Sequence, residues 1–137
     1  MGAGVDWTAV FFQAGGRLAR GPFLFASALL LIAGGLYEAV AGSALHWLTG
    51  WVVYPALIYC GACVLAKRLH DRGRSGWWSA LVLFALAGLW PQSPGGLGVA
   101  FALVLAWAVV ELGAMPGEEG TNRFGTNPLR PAPAAVV

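Results

Sequence analysis

Residues 22–41 read PFLFASALLLIAGGLYEAVA and carry a single charged side chain, Glu38. An α-helix rises about 1.5 Å per residue, so an apolar stretch of this length spans the roughly 30 Å hydrocarbon core of a bilayer. Three further apolar stretches cover residues 47–66, 77–90 and 97–115. The stretch over 77–90 is short, but tryptophans stand at both of its ends, where membrane interfaces favour them. We therefore predict an all-α polytopic membrane protein, a four-helix transmembrane bundle.

The segment before the first apolar stretch allows two interpretations. Arg17 and Arg20 precede the stretch and small residues follow it at 41–44, as in a cleaved signal peptide. The run is longer than the usual signal-peptide core of about 7–15 residues, which favours an uncleaved anchor. Further upstream, Asp6 can cap a short helix over Trp7–Gln13, whose aromatic side chains suit the membrane interface. We therefore predict a short N-terminal interfacial helix.

The composition separates this chain from soluble proteins. Of its 137 residues, 58% are hydrophobic and 10% are charged, against about 45–50% and 25% in soluble domains. The length predicts a single transmembrane domain over 1–129, and the Pro/Ala-rich composition predicts a disordered tail over 130–137. Within the domain, Pro55 predicts a kink in the second span, and residues 90–96 (WPQSPGG) predict a tight turn joining the third and fourth spans.

The basic residues are distributed unevenly between the predicted loops. All eight lie before the first span, between the second and third spans, or after the fourth, at positions 17, 20, 67, 68, 72, 74, 123 and 130. Loops rich in Lys and Arg stay in the cytoplasm. This distribution predicts four spans with both termini and the central loop in the cytoplasm.

Three polar motifs lie on that predicted cytoplasmic side: GRLAR at 16–20, KRLHDRGRSGWW at 67–78, and TNRFGTNP at 121–128. In this order they resemble the bacterial inner-membrane family called domain of unknown function 805. That family shows Gly-Arg-x-x-Arg before its first span, Arg-Leu-His-Asp-x-x-Arg-Ser-x-Trp-Trp between spans, and Asn-Arg-Tyr/Phe-Gly-x-Asp/Asn-Pro in its tail. The resemblance covers about Asp6 to Pro128. It implies an inner-membrane location and supplies no activity to transfer.

This chain departs from the family pattern in two places. After the first motif the family usually has a charged residue, an acid and two aromatic residues, whereas residues 21–24 here read GPFL and keep one aromatic. In the tail, Thr121 stands where the family commonly has Glu, and Glu118 and Glu119 lie slightly upstream. Any ion pair that the family assigns to the tail Glu therefore cannot be carried over to residue 121.

The polar residues of these motifs, together with an acid near the inner end of the fourth span, form one candidate site. Its members are Arg17, Arg20, Arg68, His70, Asp71, Arg72, Arg74, Ser75, Glu111, Asn122 and Arg123. Arginine presents a planar fork that suits phosphate or carboxylate. Two interpretations stay open: a structural cluster that fixes orientation and pairs with Asp71 and Glu111, or a site for an anionic lipid headgroup or a protein partner.

The sequence does not predict catalysis or a cofactor. His70, Asp71 and Ser75 lie close in sequence, but a hydrolytic triad is assembled from separate elements and needs an oxyanion hole. The Cys60-x-x-Cys63 pair lies inside an apolar span, which indicates packing, and His46 and His70 are assigned to opposite membrane faces and cannot share a metal. We expect no metal site, no cofactor and no nucleic-acid partner.

We predict a structural or interaction module whose partners are membrane lipids, possible further copies of the chain, or another membrane protein. Two rival functions remain. A small transporter or channel subunit would use the intramembrane acids Glu38 and Glu111, because buried carboxylates are costly and often functional. A lipid-headgroup enzyme would use His70 and Asp71. Glu38 lies near the outer end of the first span, where a snorkelling or capping role is the simpler interpretation.

Overall fold

A computed structural model of the chain describes residues 4–89 and 95–130. These residues form helices and contain no β-strand apart from an isolated bridge between Asn122 and Gly125. In chain order the helices are α1 (Trp7–Phe12), α2 (Arg20–Val40), α3 (Ser43–Asp71), α4 (Trp78–Leu89) and α5 (Gly96–Ala108), and α5 continues as a wider π-helical turn over Val109–Ala114.

Three of these helices are long and apolar enough to cross a membrane: α2, α3, and α5 with its π-helical continuation. Helix α4 is also apolar, but its 12 residues rise only about 18 Å. Large side chains such as Trp47 and Trp51 on α3 are 75% and 79% exposed. Outward apolar side chains are what a lipid solvent requires. The predicted all-helical membrane fold is confirmed, with three helices long enough to span a membrane and a fourth apolar helix that is shorter.

The predicted N-terminal helix is present as α1. The Asp6 carboxylate accepts a hydrogen bond from the Ala9 N–H at 3.1 Å, which satisfies one free donor at the start of the helix. Helix α1 is fixed to the bundle, because the Trp7 ring packs 5.2 Å from that of Phe25 on α2 and the Tyr59 hydroxyl of α3 donates to the Phe12 carbonyl at 2.9 Å.

Helix α3 extends beyond the predicted end of the second span at residue 66. It continues to Asp71, so that Arg68, His70 and Asp71 are helical and do not lie in a loop. Near its end, residues 66–69 and 71 are buried against the N-terminal segment and the π-helical turn. Gly73 then adopts φ +72°, a conformation that favours glycine after a helix end, and its N–H donates to the His70 carbonyl at 3.0 Å.

Other predicted features fall partly outside the described residues. Pro55 lies inside α3, which continues on both sides of it, and the predicted kink stays a prediction. Most of the predicted turn at 90–96 and all but the first residue of the predicted tail at 130–137 lie outside the described ranges. The predicted domain boundaries also stay predictions.

The fully enclosed core lies at one end of the bundle. This end carries the basic residues, and we call it the basic end. Its buried side chains come from different elements: Leu18, Phe23, Val64, Leu69 and Leu112. Dispersion and close packing, the forces that hold helices together in lipid, are therefore concentrated beside the polar motifs. The core fixes the ends of α2, α3 and the π-helical turn relative to one another.

Candidate functional site at the basic end

Arg68 lies at the centre of the basic end with none of its surface exposed. Its Nε donates to the Leu112 carbonyl at 2.7 Å, its Nη1 to the Leu18 carbonyl at 3.3 Å, and its Nη2 to the Met115 carbonyl at 2.6 Å. It also forms an ion pair with Asp71, one turn further along α3. A buried guanidinium is tolerated when its nitrogens are hydrogen-bonded, and each of the three side-chain nitrogens of Arg68 donates at least one hydrogen bond.

The Asp71 carboxylate binds two arginines. Besides Arg68, it accepts from Arg17 Nε at 3.0 Å and lies 2.9 Å from Arg17 Nη2. The side chains of Arg17 and Asp71 are 1% and 4% exposed. The Asp71 carbonyl also accepts from the Glu118 N–H at 2.8 Å. Asp71 therefore connects the segment before α2, the end of α3 and the C-terminal segment.

Arg17 and Arg20 hold the C-terminal part of the chain through its carbonyl groups. Arg17 donates to the carbonyls of Glu118 and Gly120, both at 2.6 Å, and to that of Gly125 at 3.3 Å. Arg20 donates to the Ala114 carbonyl at 3.0 Å. The carbonyls at a helix end lack partners within the helix, and Arg20 supplies one to Ala114, the last residue of the π-helical turn.

Glu111 lies on the π-helical turn and pairs with the two arginines that follow α3. Its Oε1 accepts from Arg72 Nη2 at 2.9 Å, Arg72 Nε at 3.2 Å and Arg74 Nε at 3.0 Å. Arg72 also donates to the Pro116 carbonyl at 2.5 Å. The Glu111 side chain is 13% exposed, whereas that of Arg74 is 41% exposed. This second cluster thus lies nearer the surface than the Arg17–Asp71–Arg68 cluster.

The tail motif packs on the end of α3. Asn122 Nδ2 donates to the His70 carbonyl at 2.9 Å and to Glu118 Oε2 at 2.7 Å. The rings of His70 and Phe124 stack with centroids 3.9 Å apart and planes 8° from parallel. His70 Nδ1 donates to the Gly16 carbonyl at 3.0 Å, which places the proton of a neutral ring on Nδ1. Thus His70 joins the first and third sequence motifs.

The structure brings most of the predicted site residues together and leaves two apart. The members in mutual contact or bound to the same segments are Arg17, Arg20, Arg68, His70, Asp71, Arg72, Arg74, Glu111 and Asn122. The Ser75 hydroxyl accepts from the nearby Trp77 N–H at 3.4 Å, and Arg123 lies over the Phe124 ring, 4.6 Å from its centroid. Whether any of them binds a ligand stays a prediction.

Sequence reasoning missed most partners of the buried arginines. They are the Leu18 carbonyl and backbone carbonyls between residues 112 and 125, which any residue type can supply. It also missed Gly117, where a Cβ atom would collide with the Asp71 carboxylate, and the π-helical turn. The glycines of the tail were the available signal, because close backbone approach often requires glycine.

The geometry argues against a His70–Asp71 catalytic pair. The Asp71 carboxylate is held by two arginines, and His70 donates to a backbone carbonyl and stacks on Phe124. Among the described residues, no group of three His, Cys, Asp or Glu side chains could hold a metal ion. In the same residues every buried side-chain nitrogen and oxygen has a hydrogen-bond partner. The buried cluster is therefore chemically satisfied by the chain itself.

Glu38 belongs to a separate polar group at the opposite end of α2. It accepts a hydrogen bond from the Tyr54 hydroxyl and lies 3.5 Å from His46 Nε2. Tyr37 packs beside His46 and bonds Thr49 at 2.9 Å. Glu38 and Glu111 thus have separate partners at opposite ends of the bundle.

Comparisons with known proteins give a family and no activity. The family model described as "Protein of unknown function (DUF805)" matches residues 11–126. Two curated relatives, each named Uncharacterized protein YiiR, from Escherichia coli (strain K12) and Escherichia coli O157:H7, are 42% identical over 77 residues, which are 50% of this chain and 53% of theirs. The chain therefore spans about half the length of these relatives. No solved structure matches the chain.

Proposed function

The chain belongs to the DUF805 family of proteins of unknown function, and we propose that it is a small multi-pass protein of the bacterial inner membrane whose basic end binds anionic phospholipid headgroups. In this proposal both termini and the basic end face the cytoplasm. The apolar helices support the membrane location, and the distribution of Lys and Arg supports the orientation.

The observation that carries the lipid proposal is the excess of positive charge at the basic end. All eight Lys and Arg side chains of the chain belong to its segments, against five acids, at positions 6, 71, 111, 118 and 119. The cytoplasmic leaflet of a bacterial membrane carries anionic headgroups, and each juxtamembrane Lys or Arg contributes about 1 kcal/mol of attraction to such a surface.

The two arginine clusters have different roles in this proposal. Arg17 and Arg68 donate their hydrogen bonds to Asp71 and to backbone carbonyls, so they stabilise the fold. Arg72 and Arg74 share the single carboxylate of Glu111 and lie nearer the surface. Two guanidinium groups against one carboxylate leave a net positive charge there, and this outer pair is the part that attracts headgroups.

The test measures lipid preference in the purified full chain. We expect native mass spectrometry to show retention of phosphatidylglycerol over phosphatidylcholine of the same chain length when both are offered equally. The preference should decline as ionic strength rises, because exposed charges are screened. Equal retention of the two lipids at low salt would contradict the proposal.

Neither rival function gains support from the contacts. A proton or ion path would have to join Glu38 to Glu111, yet these acids pair locally at opposite ends. An enzyme using His70 and Asp71 would need side chains free to reach a substrate, and both are engaged by the chain.

A further inference from the structure

A groove between α4 and α5 opens on the outside of the bundle beside Arg74. It has a volume of about 390 Å³ and is lined by Arg74, Trp78, Leu81, Leu103, Val104 and Trp107. All the lining side chains except Arg74 are apolar. The volume falls in the range of roughly 300–1,000 Å³ that small-molecule sites occupy.

Arg74 lies at the mouth of this groove, and Glu111 binds one edge of its guanidinium group. Its Nε donates to Glu111 Oε1 at 3.0 Å, and its Cζ lies 5.8 Å from the centroid of the Trp107 ring. Within the described part of the chain, Nη1 and Nη2 of Arg74 donate no hydrogen bond. The side chain is thus fixed in position and 41% exposed, and the N–H groups of Nη1 and Nη2 are left for a ligand.

The charge balance at the mouth favours an anion. Glu111 accepts from both Arg72 and Arg74 through the same oxygen, so one carboxylate compensates one of two guanidinium groups. The Glu118 carboxylate lies beside Gly73 but forms no ion pair with either arginine among the described residues, and a phosphodiester would bring a further negative charge to them. Its oxygens can accept two parallel hydrogen bonds from the planar guanidinium group of an arginine, which an anion with a single acceptor atom cannot do.

The groove extends from the arginine along the helices. On α5 it runs from Trp107 to Leu103, a distance of about 6 Å along the helix axis, and on α4 it runs from Trp78 to Leu81. A free anion would leave this apolar surface uncovered, whereas an acyl chain would cover it. Tryptophans at the mouth suit the level of the glycerol and ester groups.

We propose that this groove is a binding site for one anionic glycerophospholipid, with the phosphodiester on Nη1 and Nη2 of Arg74 and the upper part of one acyl chain between α4 and α5. The inference rests on the proposed function and adds the location: the lipid binds beside the buried arginine cluster, and not within it. The two elements of the site, one charged and one apolar, can be removed separately.

The experiment measures retention of phosphatidylglycerol by the purified full chain in native mass spectrometry. Arg74→Gln should lower retention about fivefold, the effect of one juxtamembrane arginine on an anionic lipid. Arg123→Gln removes the same charge from an exposed tail position and should have a smaller effect. Val104→Trp fills the groove while keeping every charge, and it should lower retention. Its control is Val52→Trp on α3, where Val52 is 72% exposed, and this substitution should not lower retention.

The outcomes separate the location from the general function. If the unmodified chain prefers phosphatidylglycerol but Arg74→Gln behaves like Arg123→Gln, or Val104→Trp behaves like Val52→Trp, the groove is not the site and the proposed function survives. If the unmodified chain shows no preference, both proposals fail. Glycerol 3-phosphate, which has the phosphate but no acyl chain, should not displace the lipid at equal concentration; displacement would show an anion site without an acyl groove.

Discussion

Arg17 and Asp71, 54 positions apart in the chain, form an ion pair of 2.9 Å whose two side chains are almost completely buried. The pair fixes the segment before α2 to the end of α3. Arg68 binds the other oxygen of the same carboxylate. One aspartate therefore compensates two buried guanidinium groups, and the fold of the basic end depends on it.

The first prediction is that Asp71→Asn strongly destabilises the protein. The substitution keeps the shape of the side chain but leaves Arg17 and Arg68 without their carboxylate. Removing one partner of a buried ion pair costs roughly 3–5 kcal/mol, because the remaining charge stays buried and unpaired. Thermal or denaturant unfolding of the purified chain in detergent measures the loss.

Glu119→Gln is the matched control, because Glu119 is also an acid of the basic end but is exposed. It should change the free energy of unfolding by no more than about 0.5 kcal/mol. Equal effects of the two substitutions would show that the Arg17–Asp71–Arg68 cluster has no structural role.

The second prediction concerns the outer cluster and uses a double-mutant cycle. Glu111→Gln should destabilise the chain because Arg72 and Arg74 lose their shared carboxylate. Once Glu111 is neutral, adding Arg72→Gln should cost little more, since residues in direct contact are non-additive. Unfolding of the two single variants and the double variant measures the coupling; additive losses would mean that the pair contributes nothing jointly.

The third prediction follows from the close approach of Gly117 to Asp71. A Cβ atom at position 117 would overlap the Asp71 carboxylate, which two arginines hold in place, whereas a Cβ at Gly120 would meet no atom within 4 Å. Gly117→Ala should destabilise the protein by about 1–3 kcal/mol, the usual cost of overpacking. Gly120→Ala should be close to neutral in the same unfolding assay, and a neutral Gly117→Ala would contradict the placement of the tail.

The fourth prediction tests the proposed orientation by cysteine labelling in intact cells. In a background in which Cys60 and Cys63 are replaced by Ala, a cysteine at Ser93 should react with an impermeant thiol reagent added outside. A cysteine at Ser75, beside the arginines, should react only after the membrane is opened, because basic loops stay in the cytoplasm. The reverse pattern would overturn the orientation.

Hydropathy and charge in the sequence were enough to predict the helical membrane fold. Apolar runs near residues 22–41, 47–66 and 97–115 became α2, α3 and α5, and the short run at 77–90 became the short helix α4. These properties are local: a lipid solvent requires apolar side chains and internally paired backbone groups, and both can be read from consecutive residues. The three polar motifs also indicated the family to which the chain belongs.

Only the tertiary structure decided how the basic end is built. It extended α3 to Asp71, widened the end of α5 into a π-helical turn, and separated the buried Arg17 and Arg68 from the outer Arg72 and Arg74. The sequence could not do so because the arginines bind mainly backbone carbonyls, and every residue has one. Which carbonyl an arginine reaches depends on the packing of segments far apart in the chain, and that packing has no signature in consecutive residues.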